Sequence, residues 1–227
     1  MGFPDEMATI LDVTHTKRLA SSPMPTLKAQ QSAATREQIV GNCLRLFAHR
    51  GLHATSIAEI ASAAGLTKGA IYWHFESKDA LFAAILALIK EEWQRTVVAR
   101  VREARGAREK LEQLFANYAV LLTEHPEVCL FLQRATLDGD EDIRAEVRHV
   151  FEQTTRFIAR IFEEGKSEGI VRLDLESQPL AYALLGALEG MVLHCATKPA
   201  RVPQWIGEVK ETFLARALMP RQRSRKS

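Results

Sequence analysis

The chain has 227 residues, 47% of them hydrophobic, enough for one or two domains with a real core. Lys and Arg number 30 against 28 Asp and Glu, and a formal net charge of +2 is that of an ordinary soluble protein. Three cysteines, Cys43, Cys129 and Cys195, are too few and too scattered for a disulfide scaffold and point to a reducing cytoplasm. No paired Cys/His spacing suggests zinc. The longest uncharged apolar run, Ala80 to Ile89, is too short to span a bilayer. The N-terminus lacks a basic start followed by an apolar stretch, so no secretory signal is expected. The charge is unevenly placed. Residues 35–82 carry five basic and four acidic side chains, residues 83–218 are net negative, and residues 219–227 hold four basic groups and no acidic one.

Residues 1–34, with Pro4, Pro23, Pro25 and many Ser, Thr and Ala, predict a largely disordered arm. A first helix is expected over 36–50, with Ile39, Cys43, Leu46 and Phe47 inward and Gly51 ending it. The segment SIAEIASAAGLTKGAIYWHF, Ser56 to Phe75, then reads as two short helices joined by a tight turn at Gly65. Ser56 and Glu59 form a capping box. Ile57, Ile60, Ala61 and Ala64 make one apolar face at helical spacing. Gly65 supplies the positive φ that ends the helix. Thr67 caps the second helix, which opens Thr67-Lys68-Gly69-Ala70. Those side chains are small or long and polar, so that end can press against base edges. Tyr72, Trp73 and His74 have apolar bodies and donor tips, which suit phosphate contacts beside a groove.

Ser77 caps a fourth helix that extends through Leu81, Phe82, Ile85 and Ile89 to about Arg102, long enough to link two domains. Further helices are expected over 107–123, 128–135, 141–165, 177–196 and 203–218, separated by Gly106, His125-Pro126, Asp138-Gly139-Asp140, a connector at 168–174 and a Pro199/Pro203 loop. The helix over 177–196 places Ala183, Gly186, Ala187 and Gly190 on one strip. Glycine costs about 1 kcal/mol in a helix interior, so two of them call for a close helix approach. Val209 and Phe213 belong to the matching face of the last helix. Aromatic and polar groups mingle in the middle helices: Phe115, Tyr118, Phe131, Gln133, His149 and Gln153, with Glu189 and His194 on the helix that follows. Such a mixture suits a ligand pocket as well as a plain core. A buried Glu189 needs a partner, for which Arg134, His194 or a ligand are the candidates. Cys129 and Cys195 lie in apolar surroundings where thiols are inert more often than redox-sensing. No nucleophile elbow, phosphate-cradling glycine loop or catalytic carboxylate pair occurs at a recognisable spacing, so no enzyme and no cofactor is expected.

The block from Thr35 to about Ile85 resembles the DNA-binding domain of the TetR family of transcriptional regulators. The matching elements are Phe47-Ala48-x-x-Gly51, Thr55, Ala64-Gly65-Leu66, Gly69, Tyr72-x-His74-Phe75, Lys78 and Leu81. The GAIYWHF ending is most similar to the subgroup that controls multidrug efflux pumps. The resemblance implies an all-α protein: a disordered arm (1–34), a helix-turn-helix domain (35–82), a ligand-binding and dimerisation bundle (83–218) and a basic tail (219–227). It implies that Thr67, Lys68 and Ala70 face bases, that Gly69 allows close backbone approach, that Thr55, Tyr72, Trp73, His74 and Lys78 lie along the phosphates, and that Ser56 belongs to the same DNA-binding set. It implies a homodimer through the helices over 177–196 and 203–218, on a palindromic double-stranded DNA operator. A small apolar or amphipathic inducer would sit between the helices over 77–102 and 177–196 and change the separation of the two reading heads. An activator or co-repressed regulator of the same family, and a ligand-binding protein without operator binding, are the alternatives.

Overall fold

A computed structural model of the chain describes residues 26–192 and 198–218. Within them the regular elements are helical, and one isolated antiparallel bridge pairs Val171 with Leu218. The chain divides into two compact units at Gln94/Arg95. The division comes after the helix Lys78–Trp93, inside which the boundary expected at residue 82 falls.

The first unit holds α1 (Leu27–Arg50), α2 (Ile57–Ala63), α3 (Lys68–His74) and α4 (Lys78–Trp93). α1 starts at Leu27, inside the stretch expected to be disordered, where the Thr26 hydroxyl accepts from the Ala29 N–H at 3.3 Å. The first turns, KAQQSAAT, carry no apolar stripe to betray a helix, yet Ala, Gln and Lys are good helix formers. The inward face of α1 then delivers Ile39, Cys43, Phe47 and Ala48 to the core. α2 and α4 pack against α1, and α3 packs on α2. Ile60, Ile71, Phe75, Leu81 and Ile85 close the interior.

The second unit begins in a π-helical segment, Gln94–Val98, that leads into α5 (Ala99–Glu103). The helix expected to run to about Arg102 stays helical to Glu103, with its π-helical segment where one unit ends and the other begins. The bundle follows as α6 (Gly106–Glu124), α7 (Pro126–Asp138), α8 (Glu141–Ser167), α9 (Ser177–Gly190) and α10 (Val202–Ala217). α8 is the hub, packed on α6, α7 and α9, and α10 lies on α6 and α9. Its 27 residues span about 40 Å at 1.5 Å per residue, enough to back three neighbours. Leu111, Leu114, Phe115, Phe131, Val147, Ile158, Phe162, Leu184 and Leu188 fill the interior. Gly165 marks a close approach of α8 to its neighbours. A Cβ there would stand 2.5 Å from the Val171 side chain and 3.1 Å from that of Ala107. Residues 1–25, 193–197 and 219–227 lie outside the described residues, and with them the bulk of the expected arm, His194, Cys195 and the basic tail.

Candidate nucleic-acid interface and ligand domain

The two short helices of the first unit are shaped by local chemistry. Ser56 Oγ accepts from the Glu59 N–H at 3.2 Å, and Glu59 Oε2 accepts from the Ser56 N–H at 2.8 Å. Two donors that a helix start leaves open are thereby satisfied. Gly65 adopts φ 65°, and the Leu66 N–H reaches back to the Ala61 carbonyl at 2.8 Å. That left-handed residue turns the chain within three positions into the Thr67 cap, whose Oγ1 accepts from the Ala70 N–H at 3.1 Å.

α3 is anchored on one side and open on the other. Ile71 is fully buried, whereas Lys68, Gly69, Tyr72 and Trp73 face solvent. Trp73 is 71% exposed and Tyr72 54%. Leaving two large aromatic surfaces in water is costly, and a patch of this kind marks a contact surface. A Cβ on Gly69 would meet nothing closer than Thr67 Oγ1 at 3.8 Å, so the packing of this unit does not require glycine there. His74 is half-buried and stands edge-on to Trp73, ring centroids 4.5 Å apart. Burial, and then the Arg36 charge, hold its imidazole below the ordinary range.

Two residues expected along the phosphates are engaged elsewhere. Thr55 is 1% exposed, and its hydroxyl donates to the Gly51 carbonyl at 2.8 Å. Lys78 Nζ donates to the carbonyls of Leu52 and Thr55, each at 3.1 Å. Together they fold the 51–55 loop against the start of α4. Ser56 is exposed, with its hydroxyl held in the capping box. Conversely, sequence reasoning passed over Arg36. Its guanidinium lies 4.8 Å above the centroid of Phe75, the residue that caps α3 at its C-terminus. A single Arg within a helix carries no local signal that it will meet a ring 39 positions away.

In the second unit Tyr118, Gln133 and Glu189 meet. Tyr118 Oη donates to Glu189 Oε1 at 2.7 Å, and Gln133 Nε2 donates to the Glu189 backbone carbonyl at 3.3 Å. Burial raises the Glu189 carboxyl above its ordinary value, with the Tyr118 bond pulling the other way. Burial, reinforced by Glu189, holds the Tyr118 phenol well above its own. The partner of Glu189 is therefore Tyr118. Arg134 is taken by Asp138 at 3.2 Å on the outer face of α7. Phe115 and Phe131 are buried in the same bundle. His149 and Gln153 are not part of this group. They pair at 2.8 Å on the exposed face of α8, because a 100° step per residue carries them away from buried Val147 and Thr155. On α9, Ala183, Gly186 and Gly190 are exposed, Ala187 is half-buried, and Val209 and Phe213 on α10 are half-buried.

The family model of bacterial regulatory proteins, tetR family, matches residues 40–85. The model of the tetracyclin repressor-like C-terminal domain matches residues 104–193. The chain belongs to the TetR family of transcriptional regulators. Relatives agree with that assignment at both scales. The HTH-type transcriptional repressor DhaR of Mycobacterium sp. (strain GP1) is 28% identical over 186 residues, covering 79% of this chain and 92% of DhaR. The HTH-type transcriptional regulator AcrR of Shigella flexneri is 51% identical over 59 residues, 26% of this chain and 27% of AcrR. The MbdR regulator from Azoarcus sp. CIB superposes with a TM-score of 0.69 at 27% identity, over 79% of this chain and 97% of MbdR. TetR-family proteins regulate transcription rather than catalyse reactions, and the N-terminal match covers α2, α3 and the Gly65 turn. No helix among the described residues is long and apolar enough to cross a membrane.

Proposed function

We propose that this TetR-family chain is a ligand-released repressor that binds a palindromic operator as a homodimer. The observation that carries the reading is the outward face of α3, with Lys68, Gly69, Tyr72 and Trp73 exposed above a buried Ile71. A helix held so firmly by one side chain presents its opposite face for contact with base edges and phosphates. Thr67, Lys68 and Ala70 read bases, Gly69 lets the backbone approach, and Tyr72, Trp73 and His74 lie along the phosphates. Thr55 and Lys78 support this face from behind. The second unit supplies the inducer site, with Tyr118, Gln133 and Glu189 as its polar end among Phe115 and Phe131. An apolar or amphipathic molecule fits that composition, and a cationic centre would suit Glu189. The dimer forms through α9 and α10, whose Ala183, Gly186 and Gly190 are open in the protomer. The likeness of the α3 segment to efflux-pump regulators makes an efflux gene the proposed target.

Duplexes selected by the protein from a random pool test the reading. A palindromic consensus with half-sites one turn of B-DNA or a little more apart is expected. In a reporter strain carrying that consensus, transcription should fall when the protein is present. A rise would make the protein an activator, and failure to enrich any sequence would leave a ligand-binding protein without an operator. Lys68→Ala should relax discrimination at one base position by about 1–3 kcal/mol.

A further inference from the structure

The helix-turn-helix segment has little charge to offer a polyanion. Residues 35–82 hold five cationic side chains, Arg36, Arg45, Arg50, Lys68 and Lys78, against four carboxylates. Three of the five are committed within the unit. Arg45 donates to Asn42 Oδ1 at 3.0 Å. Arg50 pairs with Glu59 at 2.6 Å. Lys78 is held by two backbone carbonyls. Arg36 and Lys68 remain. Among the described residues, no carboxylate and no carbonyl takes a hydrogen bond from Arg36, and it is exposed. Lys68 is exposed at the first position of α3.

The placement of Arg36 gives its charge a direction. Its guanidinium carbon lies 4.8 Å over the ring of Phe75, which directly follows α3. The attraction of a cation to a ring needs no hydrogen bond, so the guanidinium's N–H donors are not spent on it. A guanidinium can present two of those donors to one phosphate, a strong charge-assisted arrangement. His74 lies close enough to feel its charge. Arg36 and Lys68 thus bracket α3. Lys68 stands at one end, and the ring beneath Arg36 lies seven residues on, about 10 Å along the helix axis. The major groove is roughly 12 Å wide, so a helix lying in it brings a cation at each end toward a groove wall.

We propose that Arg36 is a DNA-phosphate contact, lying over Phe75 at the C-terminal end of the reading helix and complementing Lys68 at the N-terminal end. The proposal rests on α3 being the DNA-facing helix. Because phosphate contacts are independent of sequence, a fluorescein-labelled duplex of about 30 mixed-sequence base pairs serves as the probe. Anisotropy titrations of the full chain over a range of NaCl concentrations give the slope of log K against log salt. Arg36→Gln should flatten that slope by about 0.9 per protomer and weaken binding several-fold at low salt. Arg36→Lys keeps the charge and should restore the slope. Both should melt as the parent does, since Arg36 is exposed. Arg36→Met, which keeps the stem over the ring without the charge, replaces the Gln variant if α1 is disturbed. An unmoved slope in the Arg36 variants, while Lys68→Ala still relaxes base discrimination on the selected operator, overturns the Arg36 contact and leaves α3 as the reading helix. If neither substitution changes binding in its own assay, α3 leaves the interface, and Arg36 with it.

Discussion

Lys78 and Glu189 show how a partner decides what a charged side chain does. An ammonium with two backbone acceptors at 3.1 Å is a structural tie, and the loop it ties, 52–55, precedes the α2 cap. Hydrogen bonds from charged donors each contribute about 1.5–3 kcal/mol when buried, and half-exposure reduces that. Lys78→Gln should therefore cost roughly 1–2 kcal/mol and lower the melting point. It should leave the salt dependence of binding to mixed-sequence DNA at the parent value. A flattened salt slope with an unchanged melting point would return Lys78 to the phosphates. Glu189 carries a sign that pH can read. Burial raises its carboxyl above the ordinary 4.5, so the folded protein keeps this proton longer than the unfolded chain does. As pH rises past 4.5 the unfolded chain ionises first, and stability from this group falls until the folded carboxyl ionises too. Glu189→Gln cannot ionise, and its amide oxygen can still accept from Tyr118. The variant should melt above the parent near neutral pH, and the gap should close on acidification toward 4.5. A variant that melts below the parent at neutral pH would mean that the Tyr118 bond outweighs burial.

α9 separates what a protomer needs from what an assembly needs. A Cβ on Gly186 or Gly190 would meet nothing within 4 Å, whereas one on Gly165 of α8 would collide with Val171. The α8 glycine is required by the fold of the unit, and the α9 pair is not. A glycine in a helix interior costs about 1 kcal/mol, so a lone protomer would gain from losing Gly186. Gly186→Leu should accordingly keep the fold but overpack a dimer seam, at a cost of about 1–3 kcal/mol in association. Sedimentation equilibrium should show the dimer weakened by roughly one to two orders of magnitude. An undiminished dimer would move the seam off α9. The sequence disclosed the features written in short range. The Ser56/Glu59 box, the Gly65 turn, the Thr67 cap and the Pro126 start each involve residues no more than a few positions apart, and each stands where the pattern put it. What it concealed depends on distance. The Lys78 bonds span 23 and 26 positions, the Tyr118–Glu189 bond 71, and no local pattern encodes them. His149 and Gln153 looked like pocket groups because composition alone does not fix which way a helix is turned. The start of α1 stayed hidden because Lys28 to Thr35 is helical by propensity rather than by apolar periodicity.

On the proposed reading, regulation at the scale of the whole chain is a coupling between two sites in two units joined by one run of backbone, α4 through Gln94–Val98 into α5. The π-helical segment at that junction is the least regular hydrogen bonding along the run, and such segments cluster at functional positions. Whatever moves there, the energetics are bounded. An inducer held in the second unit can shift the operator equilibrium only by its preference for the DNA-free state, and equal affinity for both states shifts nothing. Linkage makes that preference reciprocal. If a compound weakens operator binding by some factor, the operator must weaken the compound by the same factor, typically about 5–150-fold. Compounds are found first by the rise in melting point they give the DNA-free protein, which grows with concentration above the dissociation constant. Calorimetry then measures each hit against the free protein and against protein saturated with its selected duplex. Anisotropy measures the duplex with and without the hit. The two factors should agree. A compound that stabilises the protein yet binds equally well with the duplex present occupies a site uncoupled from DNA, and such a result for every hit would refute release by an inducer while leaving operator binding intact.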